Sequence, residues 1–191
     1  MKSQTYKAII FDMDGTLTKP VLDFRIIRQE IGLPEGDIAH EITKLSPEDQ
    51  TRAWLIIEEH ERQAEEKQTL QDGTAELLTH CRAANIRLGL ITRNIQRSVD
   101  ILCQKFDLQF DSVITREFPH IKPHPAPILH MLEAWNIAPK DTLMVGDYIH
   151  DIECGRAAGT ATCFFLNAGS RDYGSHADFT VSSMTELQNH I

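Results

Sequence analysis

The sequence predicts an α/β fold, a parallel sheet with helices packed on both faces, and three observations predict it. Short apolar runs rich in β-branched residues recur at 7–12, 87–92, 111–115, 142–147 and 161–166. Segments with apolar residues at helical spacing separate the later runs, which is the βαβ rhythm of a parallel sheet. The rhythm breaks once, between about residues 20 and 70, where no convincing strand occurs.

The first run, Ala8-Ile9-Ile10-Phe11, reads as a buried strand and leads straight into Asp12-Met13-Asp14-Gly15-Thr16. Two acids and a glycine turn then stand at the strand's carboxyl end, which is where open α/β sheets bind ligands. The first four runs each end in a polar residue that could face such a site: Asp12, Thr92, Thr115 and Asp147. Helices are predicted over 74–84, 95–106, 125–135 and 149–158 from stripes such as Val99, Leu102 and Phe106, or Ile128, Leu132 and Trp135. Residues 178–181 add an edge strand, and 184–190 a short terminal helix.

The stretch 20–70 reads as an all-helical insert with helices at 24–31, 36–44 and 47–67. Ser46 is a good N-cap for the last of these, Pro47 suits its first turn, and Glu48 and Asp49 suit the positive end of the helix dipole. Trp54, Ile57 and Ala64 give it an apolar stripe, and Glu58, Glu59, Glu61, Glu65 and Glu66 are expected to face water. The insert begins just after the Asp12 loop, so it is expected to sit over the strand ends. The predicted division is a core of 1–19 with 71–191 and a helical unit of 20–70.

A chain of 191 residues that is 41% apolar and 25% charged is a globular domain of ordinary size. Its net charge of −9 argues against a nucleic-acid or anionic-membrane partner, which calls for a basic face. No apolar run is long enough to span a bilayer. The opening residues lack the apolar core and cleavage site of a signal peptide, so the expected location is cytoplasmic. Cys81, Cys103, Cys154 and Cys163 form no C-x-x-C pair and read as small buried hydrophobes.

Four signals stand in series at strand ends: Asp12-x-Asp14-Gly15-Thr16, Thr92-Arg93-Asn94, Lys122-Pro123 and Gly146-Asp147-x-x-x-Asp151. Singly, each has a plain reading as a turn, a helix cap or a solvated cation. In this order and context they resemble the haloacid dehalogenase superfamily, and the phosphoglycolate-phosphatase-like branch in particular, with a short helical cap. The resemblance covers essentially the whole chain. It implies a Rossmann-like three-layer α/β/α core and a Mg²⁺-dependent phosphatase acting on a small phosphorylated metabolite, phosphoglycolate-like or sugar-phosphate-like.

Within that resemblance Asp12 is the nucleophile and a metal ligand, and Asp14 lends its backbone carbonyl to the metal while its side chain carries the proton. Dehalogenating members lack an acid at the Asp14 position, because a departing halide needs no proton. Thr92 donates to a phosphoryl oxygen, Lys122 neutralises the transferring group and orients Asp12, and Asp147 completes the metal set. Asp151 is expected behind these, holding Lys122 or a metal-bound water. Gly15, Arg93 and Asn94 are the candidate substrate contacts; Arg93 and Arg116 both follow a strand-end threonine and could meet a second anionic group or form surface salt bridges. Mg²⁺ suits an oxygen-only donor set, so His120, His124 and His150 read as rim residues. A phosphomutase of the same superfamily and a non-catalytic scaffold stay open as alternatives, as does a monomer against a homodimer.

Overall fold

A computed structural model describes residues 6–191. They divide into two compact units, one running through Pro20 and resuming from Thr69 to Ile191, the other Val21–Gln68. The larger unit is built on a six-stranded sheet: β1 (Ala8–Phe11), β2 (Arg87–Ile91), β3 (Ser112–Ile114), β4 (Thr142–Gly146), β5 (Ala161–Phe165) and β6 (Phe179–Val181). Every pairing is parallel, in the order β3-β2-β1-β4-β5-β6. The chain winds outward on one side of β1 and then on the other. The crevice at β1's carboxyl end is therefore the topological switch point of the sheet.

Side chains alternate across the sheet and so sort into two cores. Ile9, Phe11, Leu88, Leu90, Leu143 and Val145 pack with α4 (Thr74–Ala83), α5 (Gln96–Phe106) and α8 (Met184–Gln188). Ile10, Ile91 and Met144 point the other way, against α6 (Ala126–Trp135) and α7 (Ile149–Ala158). The three layers agree with the sequence expectation. Three cysteines lie in helices and Cys163 in β5, and all four are free. Burial pushes the Cys81 thiol up to about 11 and Cys154 to about 12, so neither supplies a thiolate near neutral pH. No helix among the described residues is long and apolar enough to cross a membrane.

The smaller unit is helical throughout: α1 (Phe24–Ile31), α2 (Ile38–Ile42) and α3 (Pro47–Lys67). Side chains start all three. Asp23 accepts from the Arg25 and Ile26 amides, Asp37 from His40, and Ser46 from Asp49. Its own small core gathers Ile27, Ile42, Ala53 and Ile57. α2 is shorter than its apolar pattern predicts. Glu61 corrects the expectation of a fully solvated acidic face, because it is buried while Glu58, Glu59 and Glu66 are exposed. Its position, four residues after Ile57 on a 3.6-residue helix, places it on the apolar stripe.

Ile10 is fully buried in an inner strand, where interiors are close-packed and a lost side chain leaves a cavity. Ile10→Ala is expected to destabilise the protein by about 2–5 kcal/mol, measured as a lower urea midpoint with an unchanged slope.

Candidate active site

The β1 ladder runs one residue beyond the strand, because the Asp12 amide donates to Val145 O at 2.9 Å. The chain then turns back sharply, with the Leu17 and Thr18 amides both donating to Met13 O at 2.9 and 3.0 Å. Gly15 makes that turn at φ +78°, and a Cβ there would overlap the Asp147 carboxylate. Glycine is thus required twice over, for its left-handed backbone and for its missing side chain. Gly146 is required for a similar reason, since a Cβ would overlap Asp151.

These close approaches bring acids from three places together. Oxygens of Asp12, Asp147 and Asp151 lie within 4.8 Å of one another. The Lys122 ammonium is buried among them, paired with Asp12 Oδ1, 2.6 Å from Asp151 Oδ1, and donating to Ile91 O at 2.9 Å. Asp151 also accepts from the Tyr148 amide at 3.0 Å, reaching back across the first turn of α7. It therefore holds Lys122, and one of its oxygens lies in the same cluster as those of Asp12 and Asp147.

Asp14 is directed elsewhere. Asn94 Nδ2 donates to its Oδ2 at 2.5 Å, so its carboxylate is held against the loop after β2. Thr92 is buried, and its hydroxyl oxygen accepts from the Asn94 amide at 3.1 Å, which fixes that loop. Arg93 Nη1 donates to His150 Nδ1 at 2.9 Å, joining the loop after β2 to the first turn of α7, which follows β4; β2 and β4 flank β1. The Arg116 amide donates to Asn94 O at 3.0 Å. Thr115, the polar end of β3, is bonded to Glu117.

The three candidate rim histidines lie outside the acidic cluster. His120 and His124 stack at 4.3 Å, and His150 packs edge-on against Tyr148. Sequence reasoning missed Asn167 and Gln71. Asn167 Nδ2 donates to Gly15 O at 2.6 Å and to Asp147 Oδ2 at 3.2 Å, and Gln71 Nε2 donates to Asn167 Oδ1 at 2.7 Å. Asn167 lies just past β5 and carried the same strand-end signal as Asp12 and Asp147. Gln71 carried none.

Electrostatics say what the cluster lacks. Burial pushes the Asp12 carboxyl up to about 7, against the pull of the Lys122 ammonium and with the push of Asp151. Burial, then repulsion by Asp12 and Asp151, pushes Asp147 to about 8. Burial alone would lower Lys122, but the Asp12 and Asp151 carboxylates override it and hold the ammonium protonated. One cation is too little charge for this set of acids. A divalent cation with a preference for oxygen donors fits the residues present, both by number of carboxylates and by charge.

Comparison with known proteins shows the family and the fold. A family model described as haloacid dehalogenase-like hydrolase matches residues 21–165. A haloacid dehalogenase-like hydrolase domain-containing protein of Arabidopsis thaliana is 39% identical over 96% of this chain and 82% of its own length. The N-acetylmuramic acid 6-phosphate phosphatase of Pseudomonas putida is 31% identical, covering 97% of this chain and 96% of its own. A phosphoglycolate phosphatase of Chromobacterium violaceum is 27% identical over 98% and 97%. Among solved structures, a hydrolase from Pseudomonas syringae superposes with a TM-score of 0.83 at 19% identity, over 96% of this chain and 97% of that one.

The raised carboxyls make a linked prediction. Raised folded-state pKa values favour folding fully only below about pH 4, where the unfolded acids are also protonated, and that contribution is lost as pH rises through 7 to 8. In chelator, Asp147→Asn is therefore expected to melt above the parent at pH 8, by at least about 3 °C, the shift that ~1 kcal/mol makes in a domain of this size. The gap should shrink toward pH 4. Millimolar Mg²⁺ should reverse the order at pH 8, because only the parent keeps the full ligand set; a gap independent of pH and of Mg²⁺ would count against the cluster as a cation site.

Proposed function

This chain belongs to the haloacid dehalogenase-like hydrolase family and is a phosphoric monoester hydrolase, and we propose that it cleaves a small phosphate monoester through a phosphorylated Asp12. The observation that carries the reading is the buried Lys122 ammonium shared by Asp12 and Asp151, with Asp147 completing the acidic cluster.

A carboxylate that must approach a phosphate dianion needs positive charge beside it. Lys122 supplies one such charge and also orients the Asp12 oxygen it holds. The Asp12 and Asp147 carboxylates, with the Asp14 carbonyl, would hold Mg²⁺, and Asp151 beside them holds Lys122. When bound, that ion supplies the remaining charge that offsets the phosphoryl oxygens.

In the first step an Asp12 oxygen attacks phosphorus, the bond to the ester oxygen breaks, and the departing oxygen takes the proton of the Asp14 carboxyl. In the second step Asp14, now ionised, takes a proton from water as the water oxygen attacks phosphorus. The bond to Asp12 then breaks and inorganic phosphate leaves. One side chain serves as acid and then base, which works because the first step leaves it in the state the second requires. Support for a separate Asp14 role comes from its side chain, bonded to Asn94, while the cluster itself is Asp12, Asp147 and Asp151. Thr92, Asn94 and Arg93 shape the phosphate side of the pocket, and Gly15 lets the backbone approach it.

The ester is of the phosphoglycolate or sugar-phosphate kind, as the names of the Chromobacterium and Pseudomonas relatives support.

Leaving groups separate the two roles. Asp12→Asn should abolish phosphate release from every ester. Asp14→Asn should slow an alkyl phosphate by about 10²–10⁴-fold. With p-nitrophenyl phosphate, whose leaving group needs no proton, that variant should release a fast burst of nitrophenolate and then turn over slowly. Equal loss on both esters with no burst would contradict the assignment of Asp14.

A further inference from the structure

We propose that Asn167, locked by Gln71, is a positioning residue that fixes how Asp147 and the Gly15 carbonyl are presented in the site. The inference rests on the reading of the Asp12, Asp147 and Asp151 cluster as the seat of a divalent cation.

An asparagine amide has two N–H donors and one acceptor oxygen. Asn167 is buried, and both of its donors are committed, to Gly15 O at 2.6 Å and to Asp147 Oδ2 at 3.2 Å. Its oxygen accepts from Gln71 Nε2 at 2.7 Å, and Gln71 reaches Gly15 O as well, at 3.3 Å. The reverse orientation of the Asn167 amide would set its oxygen against two acceptors and its NH₂ against that of Gln71. The network therefore permits one orientation only.

Gln71 is itself anchored, its backbone N–H donating to Leu17 O at 2.9 Å. The bonds thus tie the turn after β1 to the segments after β4 and β5, three adjacent strands, through two neutral side chains. Neutrality matters here. An amide donor steadies a carboxylate without cancelling its charge, whereas a lysine would compete with the cation and an aspartate would add another negative group with nothing to donate.

Holding Oδ2 of Asp147 sets the orientation in which the whole carboxylate is offered to the cation. It also fixes Asp147 beside Gly15, where no Cβ stands in the way. Outer partners that orient a ligating carboxylate are worth about 10–100-fold in metal affinity.

The test is a Mg²⁺ titration of the full chain, read by thermal shift and calorimetry, with p-nitrophenyl phosphate hydrolysis alongside. Asn167→Ala should raise the half-saturating Mg²⁺ concentration about 10–100-fold. Its KM for the ester at saturating Mg²⁺ should stay within about threefold, since uniform substrate binding is untouched. Gln71→Leu leaves both Asn167 donors in place but unlocks the amide, so a smaller shift in the same direction is expected. It carries the test if Asn167→Ala does not fold.

Folded variants with the parent's Mg²⁺ half-saturation would overturn the inference and leave the phosphatase reading intact. A parent that binds no Mg²⁺ would overturn both the cation seat and the inference. A parent that binds Mg²⁺ but hydrolyses nothing would contradict the hydrolysis reading alone, while the predicted shift in the variants would still uphold the positioning role.

Discussion

The ammonium of Lys122, enclosed between the Asp12 and Asp151 carboxylates and the Ile91 carbonyl, is the interaction on which the rest of the site depends. It comes from the segment after β3 and α5, crosses to the end of β1 and meets the first turn of α7. Removing one member of such a buried pair costs about 3–5 kcal/mol, because the other is left charged and unpaired. The same contact that orients Asp12, the proposed nucleophile, therefore ties three parts of the fold together.

One ammonium does not balance the acids. Burial raises Asp12 and Asp147 well above the ordinary carboxylate range, so in the bare protein ionising both is unfavourable. The fold maintains this unfavourable arrangement with specific devices: glycines at 15 and 146 that let carboxylates sit against backbone, and the Asn167 amide that steadies Asp147 without neutralising it. Carboxylates that resist ionising beside one another gain from a cation among them, and the proposed hydrolysis calls for the same positive charge.

Much of this was legible in the sequence, and the reason is geometric. In a parallel sheet the residue after each strand points into one crevice, so Asp12, Thr92 and Asp147 announced themselves by following apolar runs. Lys122 was legible through its place in the motif series rather than through periodicity. What stayed hidden depends on contacts between distant segments. Asp151 belongs to the acidic cluster only because Gly146 admits it closely. Asn167 follows a strand as the others do, but a neutral amide does not stand out without its partners, and Gln71 lies in a connecting segment with no pattern at all. Glu61 was misjudged because a charge run reads as solvated, although its helical position lay on the buried stripe.

A phosphoryl group carried on Asp12 is the step on which the proposed hydrolysis turns. The direct measurement is intact-protein and peptide mass spectrometry after acid quenching of Asp14→Asn during turnover of p-nitrophenyl phosphate with Mg²⁺. A single hydroxylamine-sensitive phosphoryl adduct on the peptide containing Asp12 is predicted, absent from the Asp12→Asn, Asp14→Asn double variant. Continued nitrophenolate release with no adduct, or an adduct on another residue, would contradict the account.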